Sequence, residues 1–179
     1  MILVLDLEAT CADDGSIPPK EMEIIEVGAC WSTLDGQVVD QFQSFVRPVD
    51  RPTLTAFCMK LTHIEQFQIN GALGWPEVST KLAEFAQRYE LVGDAWGSWG
   101  GYDARQIHRD CARHGILDPL AGLLHQNIEA QFAKNRHIKQ VGLNTALQIV
   151  GLQLEGVHHR ALDDVLNTAR LLPWSGLAK

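Results

Sequence analysis

The sequence predicts an α/β protein built on a mixed sheet flanked by helices. Three observations point to it. The apolar run Ile2-Leu3-Val4-Leu5 reads as a buried central strand. Two more strand-like stretches, over residues 22–31 and 38–46, are joined by the turn dipeptide Asp35-Gly36. Beyond them, helical periodicities dominate and surround one further strand.

In chain order, the first strand continues into Asp6-Leu7-Glu8 and so carries two acids at its carboxyl end. A loop with Asp13-Asp14-Gly15-Ser16 and Pro18-Pro19 leads to the second strand, and Asp35-Gly36 is expected to form a two-residue hairpin turn into the third. Pro48 and Pro52 end the third strand, and Thr62 is expected to cap a short helix over 63–67, leaving 55–61 as a connecting loop. Pro76 suits the first turn of a helix in which Val78, Leu82, Phe85, Ala86 and Tyr89 recur at helical spacing. A fourth strand is expected over 91–98, after which Gly100-Gly101 turns the chain into a helix over 102–114, stopped by Gly115. Residues 128–134 and 143–150 read as helices, the second closed by Gly151. The last helix carries the stripe Ala161, Val165, Thr168 and Leu172, with Pro173 as its expected stop.

A chain of 179 residues, 46% hydrophobic and 21% charged, is expected to be a single domain over 1–179. That length buries a core without a disulfide or metal staple, so any metal should serve chemistry. Cys11, Cys30, Cys58 and Cys111 are scattered without a CxxC pair and read as reduced thiols. No apolar run approaches the roughly 18 residues of a spanning helix, and the N-terminus lacks the pattern of a signal peptide. A cytoplasmic protein without a membrane partner is expected. Fifteen Lys and Arg against twenty-two Asp and Glu give a net charge of -7, which excludes a protein that coats nucleic acid electrostatically. Nucleic acid remains open as a substrate, because divalent cations held by carboxylates reverse the local sign of a site.

Three groups of residues carry chemistry. Asp6 and Glu8, two apart on a strand, project from one face within reach of a shared ligand. A strand emerging into water at Asp6 explains them equally well. Asp103 falls in the first turn of its helix, where the macrodipole favours an acid for structural reasons alone, but Gly100 and Gly101 beside it permit the close backbone approach of a cleft. His159 and Asp164 lie too far around a helix to share one face, so His159 is placed in the loop before the last helix, with Asp164 on the helix. Asp163 and Asp164 also fit a dipole-favoured first turn.

Together these groups resemble the DEDDh 3′-to-5′ exonucleases, over nearly the whole chain. The family's Asp-x-Glu motif matches Asp6 and Glu8, its second acid matches Asp103, and its His-x4-Asp motif matches His159 and Asp164. The stretches Asp6-Leu7-Glu8-Ala9-Thr10-Cys11, Glu23-Ile24-Ile25-Glu26, Phe45-Val46-Arg47-Pro48, Leu61-Thr62-His63-Ile64 and Ser98-Trp99 are similar to the branch of histone-mRNA and small-RNA exonucleases. The resemblance implies a ribonuclease H-like fold with a mixed central sheet of about five strands.

The resemblance also implies the activity: removal of nucleoside 5′-monophosphates from the 3′ ends of RNA or single-stranded DNA. Asp6, Glu8, Asp103 and Asp164 would hold two divalent cations, Mg2+ or Mn2+, whose preference for oxygen ligands suits four carboxylates. Glu8 and His159 are the catalytic candidates, His159 as general base because imidazole titrates near neutrality. His158, outside the motif's spacing, is expected to be dispensable. Ala9, Thr10, Leu61, Thr62 and Trp99 are the candidates for binding the terminal nucleotide, with Phe57 as a second ring able to stack on a base. No appended nucleic-acid-binding domain is recognised after the last motif. Arg105, Arg109 and Arg113 on one helix, and Lys134, Arg136, His137 and Lys139 later, are its basic groups, and solvated helix faces explain them as well. The alternatives are a non-catalytic ribonuclease H-like binding module and a phosphodiesterase acting on very short oligonucleotides.

Overall fold

The computed structural model describes residues 1–89 and 95–177. Its strands form a six-stranded sheet in the order β4-β3-β2-β1-β5-β6. Strand β1 (Ile2–Ala9) lies in the middle, antiparallel to β2 (Ile24–Ser32) and parallel to β5 (Ala95–Ser98). Strand β3 (Val38–Arg47) extends the sheet on one side and β6 (Leu124–Asn127) on the other, so the sheet is mixed, as expected. The two-residue β4 (Leu73–Gly74) and β6 bring the strands above the expected number. Neither has the apolar alternation that marks a strand, since β6 reads Leu-His-Gln-Asn and is set by pairing with β5. The expected fourth strand corresponds to β5, and residues 91–94 lie outside the described residues.

Alternation along β1 divides the core. Leu3, Leu5 and Leu7 point to the face covered by α3 (Trp75–Ala86) and α4 (Tyr102–His114), where they meet Trp31, Trp75, Leu82, Phe85 and Ile107. Ile2 and Val4 point to the opposite face, against Val165, Ala169 and Leu172 of α7 (Ala161–Ser175). Each such side chain contributes about 1.5–3 kcal/mol through burial. Asp6 and Glu8 continue the Ile2 and Val4 series, so both acids face the side on which α7 lies. The helix sits very close to the sheet there. A β-carbon at Gly28 of β2 would stand 2.3 Å from the backbone carbon of Ala161, which only glycine avoids.

Several local expectations are corrected. Residues 55–61 are not a loop: α1 (Ala56–Thr62) begins at Thr55, whose side chain accepts the Cys58 N–H. Thr62 ends that helix and donates back to the Cys58 carbonyl at 2.8 Å instead of capping the next one. The following helix, α2 (Gln66–Asn70), is capped at Glu65 by a capping box with Gln68. A threonine serves either role with the same hydroxyl, so the two were indistinguishable by type. The hairpin after β2 has a longer loop than two residues: Gly36 N–H bonds the Thr33 carbonyl at 3.0 Å, and Gly36 takes φ 89° before Gln37 pairs with Thr33. Helix α3 ends at Ala86, and Tyr89 beyond it packs edge-on to Trp31 at 5.5 Å. Pro173 does not stop α7, which runs on to Ser175 and ends where Gly176 adopts φ 80°. The helices α5 (Ile128–Arg136) and α6 (Leu143–Ile149) fall close to their expected positions, and α4 falls on it. Among the described residues, no helix is long and apolar enough to cross a membrane.

Candidate active site

Because β1 and β5 run parallel, their carboxyl ends open on the same edge of the sheet, and ligands of open α/β sheets bind at such edges. A cleft of about 430 Å3 lies there. Asp6, Glu8, Asp103, His159 and Asp164, drawn from β1, α4 and the entry to α7, all line it. So do Ala9, Leu61 and Trp99.

Three of the four acids are largely withdrawn from solvent. Glu8, Asp103 and Asp164 are buried, and carboxylate oxygens of Asp6, Glu8 and Asp164 lie within 4.8 Å of one another. Asp103, in the first turn of α4, accepts the Leu7 N–H at 3.2 Å, which ties the helix start to β1. Burial, reinforced by Asp103 and Glu8, raises the Asp6 carboxyl well above the usual carboxylate range. Glu8 is pushed up to about 9 by burial and then by Asp164 and Glu26. Asp103 is raised to about 6 by burial, with hydrogen bonds from Ser98 and Leu7 opposing the rise. Crowded carboxyls of this kind ionise together only when a cation compensates them.

His159 lies in the loop before α7, as its spacing from Asp164 implies, and takes φ 64°, unusual for a residue with a side chain. Its backbone N–H donates to Asp164 Oδ2 at 3.0 Å. Burial, and then His158, lowers its imidazole below the ordinary value. The neighbouring acids separate cleanly. Asp163 turns to the loop and accepts the Val157 N–H at 2.8 Å, whereas Asp164 faces the cleft. His158, expected to stand aside, places Nδ1 3.0 Å from both Asp164 oxygens and stacks on His159 with ring centroids 4.0 Å apart.

Two of the expected nucleotide-binding residues are not brought to the cleft. Thr10 is 1% exposed, its hydroxyl accepting the Glu23 N–H at 3.0 Å. The Thr62 hydroxyl is fully buried in α1, committed to the Cys58 carbonyl and the Ile64 N–H. Phe57 does not line the cleft either. Trp99 does, with its indole N–H on the Val141 carbonyl at 3.1 Å and its ring against Phe132. Met22, Tyr102, Gly142 and Leu143 line the cleft without having been singled out; of these only Tyr102, beside Asp103 at a helix start, carried a sequence cue. The arginine stripe of α4 is mostly spent internally. Arg113 pairs with Asp110 and with Asp50, and Arg109 reaches the Pro19 carbonyl. Lys134, Arg136, His137 and Lys139 are exposed.

A model of the exonuclease family RNase_T matches residues 3–172 of this chain. The chain belongs to that family. Among RNase_T relatives, it is 31% identical to the probable 3′-5′ exonuclease KapD of Bacillus subtilis (strain 168), covering 95% of this chain and 82% of KapD. It is 29% identical to human ERI1 exoribonuclease 2, covering 97% of this chain but 28% of that protein, so the chain spans under a third of its length. Among solved structures, it is similar to the nuclease domain of 3′hExo, a DEDDh family member bound to rAMP, with TM-score 0.85, 27% identity and coverage of 95% of this chain and 88% of that one. The cell-death related nuclease CRN-4 shares the fold at TM-score 0.81 and 22% identity, over 96% of this chain and 62% of that one. The ribonuclease H-like sheet flanked by helices is thus the architecture of the RNase_T chain, and its resemblance to the DEDDh exonucleases holds at the level of the family.

Proposed function

We propose that this chain is a 3′-to-5′ exonuclease that removes nucleoside 5′-monophosphates from the 3′ ends of RNA or single-stranded DNA. The observation that carries the reading is the convergence of Asp6, Glu8, Asp103, His159 and Asp164 on one cleft from widely separated segments. Binding of rAMP by the 3′hExo nuclease domain supports a mononucleotide as the occupant, and the exoribonuclease names of its relatives support RNA.

The residues fit the divalent cations that the family uses. Their donors are carboxylate oxygens, which suit Mg2+ and Mn2+, and burial has driven Asp6, Glu8 and Asp103 toward protonation. Asp6, Glu8, Asp103 and Asp164 would hold the ions, which when bound supply charge neutralisation and Lewis acidity at the scissile phosphate. His159 acts as the general base. With its imidazole held below the ordinary value, it is neutral at pH 7 and takes the proton of the attacking water on a ring nitrogen. Ala9, Leu61 and Trp99 enclose the terminal nucleotide. A non-catalytic module would leave the buried acids without a use, and a phosphodiesterase for short oligonucleotides would leave longer oligomers uncut in the experiment below.

The test uses 5′-labelled RNA and DNA oligomers in Mg2+, Mn2+ or EDTA. A ladder shortening from the 3′ end, abolished by EDTA and by a blocked 3′ end, is expected. Internal cleavage, or activity that survives EDTA, refutes the reading.

A further inference from the structure

The Glu23-Ile24-Ile25-Glu26 stretch contains two buried acids with no place in the chemistry above. Glu23 is a loop clamp: its carboxylate accepts the N–H groups of Val49, Asp50 and Arg51. Glu26 is of another kind. It is fully buried, directly opposite Glu8 in the β1–β2 pairing, and thus beside the acids of the cleft. An acid placed there adds to the repulsion in the site, so its presence requires a compensating use.

That use is visible in its partners. The Glu26 carboxylate accepts Arg160 Nε at 3.1 Å and Arg160 Nη2 at 2.9 Å, a two-pronged pair, and the Ala161 backbone N–H at 3.0 Å. Gln43 Nε2 donates to it at 2.6 Å from β3. Arg160 occupies the N-cap position of α7 and makes no side-chain cap of its own. Glu26 therefore caps α7 from a strand, satisfying one of the orphan N–H groups of the first turn and complementing the positive end of the helix. The missing β-carbon of Gly28, two residues along β2, lets the helix approach closely enough for this contact.

We infer that Glu26 is a positioning residue that acts through Arg160 on His159. His159 is bonded directly to Arg160 and stands at φ 64°. A residue with a side chain stays in that conformation only when its surroundings over-determine it. On the far side of His159 the loop is held by the Val157 N–H on Asp163, and His159 itself by its N–H on Asp164. The clamp on Arg160 and Ala161 closes the other side. Without it, the loop relaxes toward ordinary backbone angles and the imidazole leaves its place over the cleft.

This rests on His159 being the general base, and the experiment separates the two. Turnover and KM on a 5′-labelled RNA oligomer are measured for wild type, Glu26→Gln, Arg160→Lys, His159→Ala and the double variant Glu26→Gln/His159→Ala, well below each melting temperature. Glu26→Gln is expected to lower kcat at least 10-fold with KM within about 3-fold of wild type, since misplacement of a reacting group by about 1 Å costs on the order of 100-fold. In the His159→Ala background the same substitution should have no further effect. Arg160→Lys, which keeps the charge and loses the two-pronged geometry, should fall between wild type and Glu26→Gln, and it carries the test should Glu26→Gln fail to fold. A folded Glu26→Gln with wild-type kcat overturns the inference, and so does an equal loss in both backgrounds, which would mean that Glu26 acts elsewhere than on His159. If His159→Ala alone turns over like wild type, the assignment of the base fails first.

Discussion

His158 Nδ1 lies 3.0 Å from both carboxylate oxygens of Asp164, while His159, stacked against it, contacts the same acid only through its backbone N–H. Adjacent imidazoles thus hold different relations to one acid. The His158 ring bonds the carboxylate, and the His159 ring, stacked on it, lines the cleft.

The two histidines should separate by readout. His159→Ala is expected to bind Mn2+ like wild type in calorimetry and to lose roughly 100- to 10,000-fold in kcat, together with the rise of rate with pH that imidazole deprotonation produces below pH 6.5. His158→Ala should instead weaken Mn2+ binding about 10-fold, the usual effect of removing a group that orients a ligand carboxylate, and keep most of its kcat at saturating metal. A dead His158→Ala beside an active His159→Ala would reverse the assignment of the base.

Each of Asp6→Asn, Glu8→Gln, Asp103→Asn and Asp164→Asn is expected to lower turnover in Mg2+ by roughly 100-fold or more, because each removes charge at the reacting phosphate. Asp163→Asn should cost less than about 10-fold, since its carboxylate serves the Val157 N–H. Single-turnover assays on 5′-labelled RNA decide between them, and near-normal turnover in any of the first set removes that acid from the proposed site.

Without metal, stability should fall as pH rises. The folded-state value of Glu8 is about 9 against an ordinary 4.5, so between those values the folded protein holds a proton that the unfolded chain has released. Asp6 and Asp103 act in the same direction, Asp103 between 3.8 and about 6. Stability from this source is fully present below the unfolded values and is lost as pH climbs through the folded ones. Melts in EDTA should therefore show Tm dropping from pH 5 to pH 9, with Glu8→Gln flattening the slope and raising Tm at pH 8. A Tm that rises with pH over that window would contradict the crowding of the acids.

Gly28→Ala should be severe although Gly28, opposite Asp6 in the β1–β2 pairing, brings no side chain to the cleft. Its β-carbon would meet the backbone of Ala161 and Leu162 at 2.3–2.4 Å, and backbone cannot rotate away as a side chain does. Overpacking of this kind costs about 1–3 kcal/mol or more. The variant should melt several degrees lower and lose turnover, because α7 carries Asp164. Wild-type melting and activity together would show that the helix does not depend on this contact.

Spacing together with the family resemblance made Asp6, Glu8, Asp103, His159 and Asp164 legible as candidates in the sequence, while flanking glycines located α4 and periodicity located α7. These are local properties: two residues on a strand share a face, and a step from loop to helix follows from the number of residues per turn. Side chains whose role depends on a distant partner were not legible. The hydroxyls of Thr10 and Thr62 have the same chemistry whether they face a nucleotide or a backbone amide, and the fold spends both on amides and carbonyls inside the protein.

The sequence by itself determined which groups are available for chemistry, in what order, and on which kind of element, because those follow from residue type and short-range periodicity. Only the tertiary structure decided that the acids of β1 meet the acid of α7, that Glu26 clamps Arg160, and that His158 rests on Asp164. The first two join residues more than a hundred positions apart, brought together by the β1–β2 register and by the close docking of α7 over Gly28. Such contacts are set by packing across the sheet, where no repeat along the chain records which residue will stand opposite which.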